Sequence, residues 1–356
     1  MNGSGVTIIQ GASDPDAPDG FGDAAIRCVW MTNDAALVGF TLQGGFTRAY
    51  LAGSNYDDPD FSGGGLYAVS DLAVVSNCVL SANSAFYSAG GAFRGTLLGC
   101  TLVSNITSQG SGGAAHESTL HDCEILDNEA AIGGGVSSCT VSGSVLAGNF
   151  ASGQHGGGAL SSHLVGCLMI GNRTRGGIGG GAYGGSLKNC TVVGNRIVGV
   201  ANASVTNCII YFNTGREPGV DDNYYHSFGP DIHFSCTFPM PTNGVGNITN
   251  NPGFVDLAAS NLQLSASSPC RDAGLLMGTA SATDLAGNPR LVHGFIDMGA
   301  YEFQGGAGPA DYDGDGYGNG EEQIAGTDLA DPESFFRVDL LVSTNGLALV
   351  FDSVTN

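Results

Sequence analysis

Positive charge is scarce in this sequence. Lysine and arginine supply 11 of the 356 residues against 33 aspartates and glutamates, for a net charge of -22, and Lys188 is the single lysine. Such a surface repels phosphate backbones and excludes a nucleic-acid-binding role. It also repels polyanions and anionic lipid unless a divalent cation bridges them. Long apolar runs are missing too: no stretch approaches the roughly 20 residues of a membrane helix. No Cys-x-x-Cys pair occurs, so the ten cysteines carry no zinc signature. Met1 to Gly5 have neither a basic region nor an apolar stretch, unlike a signal peptide, and Leu347 to Ser353 break off in a strand pattern. Both ends are therefore expected to be cuts in a longer chain. What abounds is glycine, 59 residues, while a hydrophobic share of 42% keeps the chain out of the disordered class.

Seven segments share one pattern. They end at Asn83, Asn105, Asn128, Asn149, Asn172, Asn195 and Asn213, spaced by 22, 23, 21, 23, 23 and 18 residues. Five residues before each Asn stand Cys78, Cys100, Cys123, Ser144, Cys167, Cys190 and Cys208. Upstream of these, most segments carry a glycine pair, such as Gly90-Gly91, Gly134-Gly135 and Gly157-Gly158. Self-similarity at a fixed period signals a solenoid. A leucine-rich repeat competes, because Leu97, Cys100, Leu102 and Asn105 fit its spacing. The run from Phe150 to His163 decides against it, being too rich in glycine for a helix and without helical periodicity. The expected fold is all-β, a right-handed parallel β-helix of about nine coils. Each coil carries two or three short strands that pair with those of the next coil, about 4.8 Å away. Equivalent residues then stack: the cysteines as an inward thiol ladder, the asparagines at a bend where the amide bonds backbone and the Asn above and below. The glycines are expected to supply positive φ.

The Gly-Gly-Ala and x-Cys-Thr-apolar-x-x-Asn elements resemble the bacterial parallel β-helix proteins with polymorphic-outer-membrane-type repeats, in the pectin-lyase-like fold group. Val38 to Gly45 is similar to their opening coil, and the likeness covers roughly residues 25–215. After Thr214 the period is lost. Four motifs there, at Asn251–Asp256, Ser268–Gly274, Asp284–Arg290 and Asp297–Glu302, resemble the C-terminal "choice-of-anchor" module of secreted β-helix proteins. That resemblance implies export and anchoring, hence an extracellular or cell-surface location, with this module covering the open edge of the last coil. The expected division is an N-terminal cap and first coils (1–45), an acidic loop excursion with Asp57, Asp58 and Asp60 (46–63), regular coils (64–215), the capping module (216–304), a glycine-rich linker with a calcium loop (305–333) and the start of a β-rich domain (334–356).

The calcium loop has the most specific spacing. Asp311, Asp313 and Asp315 occupy positions one, three and five of a twelve-residue EF-hand pattern, and Gly316 falls at the sharp turn. Tyr317 offers its carbonyl, Asn319 its side chain or a water, and Glu322 a bidentate carboxylate, which together suit Ca²⁺. A Gly-rich stretch precedes it in place of a helix, so the loop resembles dockerin and thrombospondin type 3 repeats.

Cys236 and Cys270 fall outside the repeat, and the sequence leaves open whether they pair or stay as buried thiols. Two functional readings follow. The first is a non-catalytic, adhesive or carbohydrate-contacting stalk, expected to be a monomer. The second is a polysaccharide lyase or glycosidase acting on an acidic polysaccharide. Arg173 and Arg196, each directly after a ladder Asn and 23 residues apart, should stack on adjacent coils with Arg175 nearby, the best basic cluster for an acidic sugar. Arg94 is a further exposed candidate. Glu117, Asp122, Glu124, Asp127 and Glu129 crowd one coil, but the positions matching Glu124 on the neighbouring coils are Thr101 and Val145, which makes a poor two-carboxylate site.

Overall fold

The computed structural model describes residues 7–49, 58–215, 222–227, 229, 231–276, 282–292, 294–305, 318 and 322, and the strands Phe336–Ser343 and Gly346–Ser353. Apart from the single residue Glu322, regular structure among these residues is all β. None of it is a helix long and apolar enough to cross a membrane. No helix separates the repeats, which removes the leucine-rich alternative.

The chain winds as a parallel β-solenoid. A ten-stranded parallel sheet takes one short strand per turn, from Ile8–Gln10 and Thr41–Gln43 through Thr101–Val103 and Glu124–Leu126 to Ile209–Tyr211 and Cys236–Thr237. A sixteen-stranded sheet takes two strands from most turns, such as Ala115–His116 and Thr119–His121. A five-stranded sheet (Ser84–Ala85, Ile106–Thr107, Glu129–Ala130, Phe150–Ala151, Arg173–Thr174) closes the cross-section. A turn thus holds up to four strands where two or three were expected. The extra one arises because a residue with positive φ, such as Arg94, Glu117 or Ser138, splits one side in two. The expected nine coils are about seven. The regular pitch holds between Asn83 and Asn213, and the outermost strands of the long sheet belong to irregular end pieces.

Register explains the core. Leu80, Leu102, Ile125, Leu146, Met169, Val192 and Ile210 pair rung to rung on the inner side of the long sheet and are wholly buried. Each such side chain contributes about 2 kcal/mol of burial. The asparagines form the expected ladder. Asn128 donates from its backbone N and its Nδ2 to Asn149 Oδ1 (both 3.0 Å), and from Nδ2 to Leu102 O (2.9 Å). Its own Oδ1 accepts from Asn105 N (2.9 Å) and Nδ2 (3.0 Å). Every polar atom of this buried amide is therefore satisfied. Asn223 extends the ladder, accepting from Asn213 N at 3.0 Å. It lies ten residues past Asn213, where sequence spacing gave no hint.

The thiol ladder forms as well, with Ser144 filling one rung: Cys123 N donates to Ser144 Oγ at 2.9 Å. Cys139 belongs to a second inward column that the sequence reading missed. It accepts from Ser118 N at 3.5 Å and donates from its own N to Ser162 Oγ at 3.1 Å.

The glycine pairs have a different cause from the one expected. At Gly134 a Cβ would lie 2.4 Å from the backbone of Phe150, and at Gly157 2.3 Å from Gly180 O, so close approach of neighbouring rungs forbids a side chain. The expected positive φ is found at Gly133 and Gly156, just before these pairs, and at Gly112 within its own pair.

The described residues after the coils pack against the solenoid. Ile248 bridges Cys236 as a further half-rung. Residues beyond it fold back onto the outer face of the long sheet, where Leu262 packs with Leu168 and Val193. Ala300 N donates to Thr191 Oγ1 (2.9 Å), and the Asn207 side chain both donates to Leu275 O (2.9 Å) and accepts from Leu275 N (2.8 Å). The signal was present: outward positions that hold Thr101 and Glu124 on earlier rungs become Leu168 and Ile209 here.

Candidate functional site

Arg173 lies on the outer side of the five-stranded sheet, in register with Phe150, and Arg196 bridges Arg173 from the next rung. The two therefore stand one rung apart, with Arg175 two residues on from Arg173. The Arg173 guanidinium sits 4.5 Å from the centre of the Phe150 ring, a cation–π contact that fixes its plane. Phe150, Arg173, Thr174, Arg175, Arg196 and Ile197 line a concavity of about 350 Å³. Among the described residues no carboxylate lies within 4.0 Å of these three arginines.

The other arginines whose side chains are described are engaged. Arg48 meets Asp60 (3.1 Å) and Asp23 (3.6 Å), Arg94 meets Glu117 (2.9 Å), Arg271 lies near Asp272 (3.9 Å) and Arg290 near Glu302 (3.7 Å). Arg27 donates to Gly63 O and Ser62 O (both 2.8 Å) and to Pro59 O, pinning the far end of the acidic loop. Burial pulls its pKa down to about 10, against the opposing pull of Asp60. Residues 58–63 of the acidic loop are thus tied down and Asp60 is paired, while Asp57 lies outside the described residues.

A second concavity, of about 450 Å³, opens on the sixteen-stranded sheet and is lined by Asp71, Arg94, Glu117, Thr119, Ser138 and Thr140 among others. Arg94 Nε and Nη2 both bond Glu117 Oε2, at 3.0 and 2.9 Å, and its guanidinium lies 5.0 Å from the Phe93 ring centre. Phe93 continues a stack with Tyr67 (5.1 Å) and Trp30, which stacks on Tyr67 at 4.7 Å. Glu117 thus leaves the crowded acidic coil for this groove. Glu124 pairs in register with Thr101 and Val145, as the repeat implied. Among the described residues no group of three or more His, Cys, Asp or Glu is placed to hold a metal ion.

The motifs after the coils converge on one buried polar cluster. Asp284 accepts from Ala286 N (3.0 Å), Asn288 N (2.7 Å) and Glu302 N (3.0 Å). Asp297 accepts from Asp272 N (2.7 Å) and Phe303 N (2.6 Å), and Glu302 Oε2 accepts from Asp297 N (3.0 Å). Arg290, 2% exposed, lies among them and donates to Gly299 O. One buried guanidinium faces several carboxyls. Burial pushes Asp297 up to about 7 against its backbone hydrogen bonds. Burial and the charge of Asp297 push Glu302 up to about 9. This arrangement braces the fold-back segment; it faces no concavity described above.

Cys236 and Cys270 are buried thiols that pack in one apolar cluster with Ile209, Leu264 and Met298. Burial and the neighbouring Cys236 raise the Cys270 thiol. Asp311, Asp313, Asp315, Tyr317 and Asn319 lie outside the described residues. Glu322 is buried, and its N donates to Gly318 O at 3.0 Å.

Compared with known proteins, the chain matches no family model, and no curated protein is similar to it.

Proposed function

We propose that this chain is a non-catalytic solenoid stalk, secreted or held at a cell surface, that contacts acidic glycans through Arg173, Arg175 and Arg196. The observation that carries the reading is the gathering around Phe150 of three arginines that have no carboxylate partner among the described residues, on a chain of net charge -22. Arginine forks fit carboxylates and sulfates bidentately. Successive rungs lie about 4.8 Å apart, comparable with one sugar unit, so a glycan along the solenoid axis presents successive acid groups to Arg173 and Arg196. Phe150 adds an apolar face for a ring. Repulsion from the rest of the surface fades beyond about 8 Å at physiological salt, which leaves the local patch in control. The second half of the proposal is that Asp311, Asp313, Asp315, Tyr317, Asn319 and Glu322 bind Ca²⁺ and stiffen the connection to the hairpin Phe336–Ser343/Gly346–Ser353.

The test is affinity electrophoresis in polygalacturonate with the wild-type chain and the Arg173→Ala/Arg196→Ala variant. Retardation should fall by about tenfold or more in the variant, as for loss of charge-assisted hydrogen bonds. Equal retardation would remove the basis of the reading. Arginine-dependent release of unsaturated product, followed by its absorbance with Ca²⁺ present, would turn the stalk into a lyase.

A further inference from the structure

The geometry points to a second ligand site, in the groove of Asp71, Arg94 and Glu117, for a neutral, hydroxyl-rich molecule such as a short stretch of uncharged oligosaccharide. It stands apart from the arginine patch and does not rest on it.

The polar groups facing this groove are not used up by the fold. Arg94 spends Nε and Nη2 on one oxygen of Glu117. The Asp71 carboxylate and the hydroxyls of Thr119, Ser138 and Thr140 line the same concavity, and among the described residues none makes a protein hydrogen bond within ordinary distance. Asp71 is held there by its own backbone, since its carbonyl accepts from Thr96 Oγ1 at 3.0 Å. The groove therefore offers a fixed acceptor, the second oxygen of Glu117, the remaining guanidinium N–H groups, and three hydroxyls able to donate or accept. Ligand hydroxyls, which also do both, are the chemistry that fits such a mixture.

Charge selects against the alternatives. Glu117 already neutralises Arg94, and Asp71 leaves the groove slightly negative, so an anionic ligand is repelled here. A metal needs a denser set of ligands than the groove supplies.

Spacing and rigidity favour an extended ligand. Thr119 and Thr140 are register partners on adjacent strands, and Arg94, Glu117 and Ser138 occupy successive rungs at one corner. Hydrogen-bonding groups thus recur about every 4.8 Å along the axis, close to the length of one pyranose unit. The corner is built before any ligand arrives. Arg94 (φ 59°), Glu117 (φ 48°) and Ser138 (φ 54°) are all left-handed, and Arg94 is clamped between Glu117 and the wholly buried Phe93 ring. Little side-chain entropy remains to be lost on binding. A volume of about 450 Å³ lies within the range of small-molecule sites.

The experiment is saturation-transfer NMR on the full chain with cellotetraose and mannotetraose as probes, followed by titration of whichever responds. The wild type should give ligand signals. Asp71→Asn and Thr140→Val, both exposed and shape-conserving, should each weaken binding by about tenfold. Arg173→Ala should leave it unchanged. Circular dichroism checks that each variant keeps the β spectrum, and Ser138→Ala serves as a further variant if one does not. Three outcomes overturn the inference: no signal with either probe, signals indifferent to the groove variants, or signals lost in Arg173→Ala.

Discussion

Raising the pH should loosen the fold-back segment, and Glu302 is the residue through which it does so. Its side chain is wholly enclosed, its Oε2 accepts from Asp297 N, and burial with the charge of Asp297 pushes its carboxyl up to about 9 from 4.5. The folded chain therefore keeps a proton that the unfolded chain releases above pH 4.5. The stability this provides is complete below pH 4.5 and drains away as pH rises through 9. At about 1.4 kcal/mol per pH unit, roughly 3 kcal/mol is gone by pH 7. Asp297, raised to about 7 from 3.8, acts in the same direction, and the two titrate as a pair. Glu302→Gln keeps an oxygen for the Asp297 N–H and cannot ionise. Urea unfolding at about pH 5 and about pH 8.5 should show the wild type losing clearly more stability than the variant, which keeps only the Asp297 contribution. Equal pH slopes for the two proteins would refute the account of this cluster.

The ladder and the glycines give separate expectations. Asn149→Leu strips Asn128 of the acceptor for its N and Nδ2 and should cost about 3 kcal/mol or more in urea unfolding. Gly134→Ala, where a Cβ meets backbone at 2.4 Å, should destabilise far more than Gly171→Ala, where nothing lies within 4 Å and only the left-handed backbone (φ 65°) objects. The latter should cost about 1 kcal/mol. A thiol reagent should titrate all ten cysteines in denaturant and react slowly with the native chain, where nine are buried and Cys28 alone is half-buried. Finally, calorimetry should show Ca²⁺ binding that Asp313→Ala abolishes; an athermal wild-type titration, or an unaffected variant, would set the calcium loop aside.

The solenoid was legible because its strongest signals, the Cys and Asn columns, repeat by chemical identity. Stacked asparagines need one another's amides, so the sequence cannot vary there without leaving Asn105 or Asn128 unsatisfied. Cys139 escaped notice because its column accepts any small residue, with Ser118 and Ser162 as its neighbours. The number of coils was overcounted because residues at both ends still pair with the sheet without completing a regular turn. The arginine pair could be placed from spacing alone, since Arg173 and Arg196 follow ladder asparagines. The Asp71 groove could not. Asp71 lies just before one strand and Glu117 at a left-handed corner in another turn, and only the stacking of turns brings them to one concavity. The buried cluster was visible as motifs, but its convergence depends on the chain folding back over Leu168 and Val193, a tertiary event with no local period.

The asparagine column also has a direction. Each Nδ2 hands its hydrogen to the oxygen of the following amide, so from Asn83 to Asn223 the dipoles point one way, like peptides in a helix. A duplicated or deleted whole turn would simply lengthen or shorten this polarised thread, every amide again finding an identical neighbour. Steps of 18 to 23 residues, and one of ten to Asn223, all keep it, so smaller length changes are absorbed between the amides. Molecules of this design can therefore change their reach in whole increments, as a ruler does, without renegotiating the interior.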